Sequence, residues 1–73
     1  TPLQRAMSNY LKEKGFAPGG LMPCDTILYK GNKQVNIFRD NSTFFLDQKC
    51  VGTFTNSDVL GAEDKLLIYF LEN

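Results

Sequence analysis

The apolar pattern of this chain switches period twice, and that switch constrains the fold more than any single residue. Between Thr26 and Phe54 the chain breaks into short runs rich in β-branched and aromatic residues. They are Thr26 to Lys30, Lys33 to Arg39, Thr43 to Leu46 and Cys50 to Phe54. Gly31-Asn32, Asp40-Asn41-Ser42 and Asp47-Gln48-Lys49 separate them, and each has the composition of a tight turn. Connections this short join antiparallel neighbours, so the central segment predicts a meander of three or four strands.

Both flanks carry the helical period instead. Thr1-Pro2-Leu3-Gln4 has the spacing of a capping box, with proline in the first helical position. Leu3, Ala6, Met7, Tyr10 and Leu11 then fall on one stripe, and Gly15 supplies a stop. A helix over 2–14 follows. Residues 15–25 hold Pro18, Gly19, Gly20 and Pro23 and read as a loop, with Leu21 and Met22 expected to tack it to the core.

At the other end, Thr55 and Asp58 have cap spacing, and Phe54 and Val59 suit a hydrophobic staple. Val59, Leu60, Leu66, Leu67, Phe70 and Leu71 line a stripe, so a helix over about 56–72 is preferred, with a break or kink at Gly61. A strand over Leu66 to Leu71 is the rival reading of that apolar run.

The expected fold is therefore α+β: an N-terminal helix, an antiparallel meander over 26–54 and a C-terminal helix, with the helices on one sheet face. A chain of 73 residues and 8.2 kDa hides only roughly 60% of its unfolded surface. That permits one domain of two thin layers and leaves the second sheet face open to water or a partner.

Composition narrows the function classes. Eight basic residues balance eight acidic ones, which argues against a general polyanion binder or a polybasic membrane anchor. The longest apolar run, Leu66 to Leu71, is too short to span a bilayer. No secretory signal opens the chain, so a cytoplasmic location is expected. A first residue of Thr1 is compatible with a processed product or a piece of a longer chain.

The sequence lacks histidine altogether, which removes the commonest general base. It shows no nucleophile elbow and no phosphate-cradling glycine loop. Cys24 and Cys50 have no metal-ligand spacing and read as reduced, partly buried thiols, with a disulfide as the alternative in an oxidising compartment. No catalytic, cofactor or metal residue is assigned.

The expectation is a small accessory, regulatory or inhibitory protein that docks on another protein. Microbes and their mobile elements commonly carry proteins of that size. Strand alternation puts at least one of Phe38, Phe44 and Phe45 on the outer face. Tyr29, Lys33, Phe38, Arg39 and Phe45 combine anchor chemistry with strand positions and are the candidate partner-binding residues. The alternative is a nucleic-acid-binding module that uses Lys30, Lys33, Arg39 and Lys49 around those aromatics.

Helix, three strands and helix is also the order of double-stranded-RNA-binding domains, whose second helix starts with phosphate-gripping lysines. The matching residues here, 56–65, hold three acids and one lysine, so only the order of elements is shared. Ile68 or Tyr69 of the last helix would be left outward, which predicts packing on the first helix, with a homodimer seam as the alternative.

Overall fold

The computed structural model describes residues 1–72. Helix α1 (Pro2–Glu13) starts on the expected capping box. The Gln4 amide donates to Thr1 Oγ1 at 3.2 Å, and the Thr1 amine donates to Gln4 Oε1 at 2.9 Å. Its end is a Schellman turn. Gly15 stands at φ +97°, its amide donates to the Lys12 carbonyl, and the Phe16 amide donates to that of Leu11. This closure turns Phe16 back into the core, where it is buried.

The sheet has five strands rather than three or four. β1 (Ala17–Pro18), β2 (Ile27–Lys30), β3 (Lys33–Ile37), β4 (Asn41–Leu46) and β5 (Lys49–Thr55) lie side by side in chain order, all antiparallel. β1 is the strand that sequence pattern does not show. It is two residues long, lies in the stretch read as loop, and is defined only by pairing with Leu28 and Tyr29. Proline is tolerated there because β1 is an edge. Leu21 and Met22 do not anchor this connection; both are fully exposed.

Hairpin chemistry sets the register. Gly31 at φ +60° opens the two-residue β2–β3 turn. Asp47 and Gln48 both take left-handed conformations in the β4–β5 turn, at φ +51° and +67°. The Asn32 amide group donates to the Asp47 carboxylate at 3.0 Å and ties the two turns together.

The C-terminal segment forms two helices rather than one over 56–72, and the division falls at the expected break, Gly61. α2 (Asn56–Gly61) is capped by Thr55, whose hydroxyl accepts from the Asp58 amide at 3.1 Å. Ala62 then takes the left-handed conformation, φ 52°, which a continuing helix does not admit. Asp64 restarts the helical path by accepting from the Leu67 amide at 3.0 Å, and α3 (Lys65–Glu72) follows. The Leu66 to Leu71 run is therefore helical, and no described helix is long and apolar enough to cross a membrane.

All three helices cover one sheet face. Met7, Leu11, Leu28, Val35, Ile37, Phe44, Val59, Leu67 and Leu71 form the buried core with Phe16. Phe44 sits at its centre and meets Phe54 and Phe70 edge to face, at centroid distances of 5.4 and 5.7 Å. Ser8, Lys33, Ser42 and Asn56 are the buried polar residues among those described, and the last two are bonded to each other. Ser42 Oγ donates to Asn56 Oδ1 at 2.6 Å, and Asn56 Nδ2 donates to the Phe38 carbonyl at 3.0 Å. Asn56 is wholly buried, so these bonds hold the β3–β4 turn against α2.

Candidate interaction face of the sheet

Strand alternation and the observed pairings assign every meander residue to a face. Leu28, Val35, Phe44 and Gly52 lie in one cross-strand row and look toward the helices. The next row, Ala17, Tyr29, Gln34, Phe45 and Cys50, therefore looks away from them. So does the row Ile27, Asn36, Thr43 and Thr53. No described helix covers these two rows, and none of their side chains bears a formal charge.

The polar members of the bare face are tied to one another. Gln34 donates to Asn36 Oδ1 at 2.7 Å, and the Thr43 and Thr53 hydroxyls share a hydrogen bond at 3.1 Å. The aromatic members stand on either side of Gln34. Tyr29 is 42% exposed and Phe45 is half-buried among its cross-strand neighbours. Beyond Gln34 a hollow of about 340 Å³ opens toward the two tied turns, lined by Tyr29, Asn32, Lys33, Asp47 and Gln48 among others.

Gly19 sets the edge of this face. A Cβ at Gly19 would lie 2.8 Å from the Tyr29 ring, so the loop backbone rests directly on the aromatic. Only glycine permits that approach. The exposed Leu21 and Met22 follow two and three residues later.

The five partner-binding candidates divide into three places. Tyr29 and Phe45 share the bare row. Phe38 and Arg39 are exposed on the β3–β4 turn, at the opposite end of the sheet, where Asn56 holds their carbonyls. Lys33 is on the helix side and buried. Its ammonium donates to the Phe70 carbonyl in the last turn of α3 and lies 5.1 Å from the Phe70 ring. Burial, with the like charge of Lys30 adding to it, lowers the Lys33 pKa from the ordinary lysine value.

The basic candidates do not converge around the outer aromatics. Lys30, Lys33 and Lys49 fall in one row with Leu46, displaced by one residue from the Tyr29 row and so on the opposite face. The Lys30 ammonium lies 5.9 Å from the Phe16 ring. Arg39 is at the far end of the sheet.

Both thiols are free and exposed, not partly buried. A hydrogen bond with the Thr26 hydroxyl, at 3.3 Å, lowers the Cys24 pKa. Cys50 stands opposite Phe45 on the bare face. Cys50, Gln34 and Gly19 are the members of this surface that sequence reasoning missed. For Gln34 the signal was its parity with Asn36; for Gly19 no local signal exists.

Comparison with protein-family models, with curated proteins and with solved structures returns no match.

Proposed function

We propose that this chain is a non-catalytic protein-binding module that docks through the bare sheet face. The observation that carries this reading is the row Tyr29–Gln34–Phe45. Two aromatic anchors flank an amide in rows that no described helix covers and whose side chains bear no formal charge. Aromatics concentrate binding energy at protein interfaces, and charged residues are depleted from interface centres. An uncharged face also gives up its water at lower cost than one carrying ions. Leu21 and Met22, beside Gly19, extend the apolar contact available to a partner.

A regulatory or inhibitory role fits a small module whose only chemistry is contact. Nucleic-acid binding has less behind it, because the lysines proposed for it lie on the helix side or are buried.

The test is affinity capture with mass spectrometry of both protein and nucleic acid, using the wild-type chain and Tyr29→Ala/Phe45→Ala. A protein partner retained by the wild type and lost from the double variant, with thermal stability little changed, is the expected result. Capture of nucleic acid that falls steeply with salt would favour the other function instead.

A further inference from the structure

The two edges of the sheet are unequal. β1 presents two residues, one of them Pro18, and offers almost no backbone for pairing. β5 presents seven residues without proline, and no described strand pairs with its outer side. Its outward N–H and C=O groups form a template for another strand. A bulge between Cys50 and Gly52 interrupts regular pairing, so the uninterrupted part of the edge is Gly52 to Thr55.

We propose that β5 pairs antiparallel with β5 of a second copy, about a two-fold axis at Thr53, and joins two five-stranded sheets into one. The register follows from the residues. About this axis Thr53 faces Thr53, a pairing that supports hydrogen bonding between hydroxyls on the outer face. Gly52 faces Phe54 on the helix side, where each copy's own Phe54 ring already lies over its Gly52.

Charge selects a second copy as the occupant. Lys49 begins β5, while Asp58 lies just past its end and lines one hollow with Glu63 beside Phe54. Lys49, Asp58 and Glu63 have no ion-pair partner among the described residues. Counted along the chain from an axis at Thr53, each Lys49 falls opposite the second copy's Ser57, next to Asp58, which sets opposite charges at both ends of the strand pair. The chain's zero net charge adds no overall repulsion between copies. This seam is the β5 edge and not the α3 surface that the apolar run suggested.

Sedimentation velocity from low micromolar to near-millimolar protein tests the proposal. The expected result is a mass rising with concentration from 8.2 kDa to twice that value. Lys49→Glu should weaken association about tenfold, the size expected for setting like charges against each other. Adding Asp58→Lys to that variant should restore it. Thr53→Lys, which leaves α2 untouched, should also dissociate the pair by placing like charges on the axis. In a Cys24→Ser/Cys50→Ser background, Thr53→Cys should form a covalent dimer under mild oxidation. A monomer at every concentration, or a dimer indifferent to Lys49→Glu and to Thr53→Lys, would overturn it.

Discussion

Phe44 and Phe45 are chain neighbours, yet they belong to opposite worlds. Phe44 turns toward the helices, is fully buried, and meets two other rings edge to face. Phe45 turns the other way, between Gln34 and Cys50, on a face with no helix over it. The same contrast runs through the whole sheet. One face spends its aromatics on stability, while the other holds them where a partner can reach. The difference teaches that in a chain this small only one face of the sheet can be covered from within. The second face is then available for function at little expense to the fold.

The sharpest way to break this contrast is to shorten each ring in turn. Phe44→Ala should cost about 3–5 kcal/mol, the range for removing a packed core aromatic. Phe45→Ala should cost about 1 kcal/mol, in keeping with a half-buried cross-strand contact. Urea denaturation measures both, and equal losses would mean that the outer face is as structural as the inner.

Asn56 tests whether the inner face also positions outer residues. Asn56→Ala leaves Ser42 and the Phe38 carbonyl without their buried partner, and should cost about 2–3 kcal/mol. In amide hydrogen exchange, residues of the β3–β4 turn should lose more protection than those of the β2–β3 turn.

A smaller effect of opposite sign is expected beside the bare row. Gln48 holds a left-handed conformation without being glycine. Gln48→Gly gives the Asp-Gly pair that this hairpin turn favours, and should raise stability by about 0.5–1 kcal/mol. A thermal melt detects that gain, and a loss would show that the Gln48 side chain contributes to the fold.

Lys33 gives the least effect at neutral pH and the most specific one above it. Its folded-state pKa lies below its unfolded value of 10.5, so between the two the unfolded chain binds more protons. Stability from this group should rise as pH climbs through that alkaline window. Lys33→Met should flatten the rise in urea midpoints measured across it.

Much of this arrangement is legible in the sequence because it is local. The first helix is written in Thr1, Pro2, Gln4 and Gly15, each acting within one turn of its own position. The opposite facing of Phe44 and Phe45 is written in strand alternation. Lys33 was legible by the same rule, since it shares parity with the buried Val35 and Ile37; its charge drew attention to the surface instead. β1 was not legible, because two residues carry no period and become a strand only through distant Leu28 and Tyr29. The division of the last helix was half legible: a break at Gly61 was expected and α2 ends there, but the left-handed residue was not foreseen. That residue is Ala62, which has high helix propensity and lies between two caps. The buried role of Asn56 has no local signal, because its partners Ser42 and Phe38 lie far away in sequence.

The central claim is that the bare row of Tyr29, Gln34 and Phe45 is where a partner docks. Titrating isotope-labelled protein with its captured partner and following backbone amide resonances tests this most directly. Shifts and broadening should concentrate at Tyr29, Gln34, Phe45 and Cys50, with α1 and α3 little changed. Perturbations confined to the helices, with that row unmoved, would contradict it.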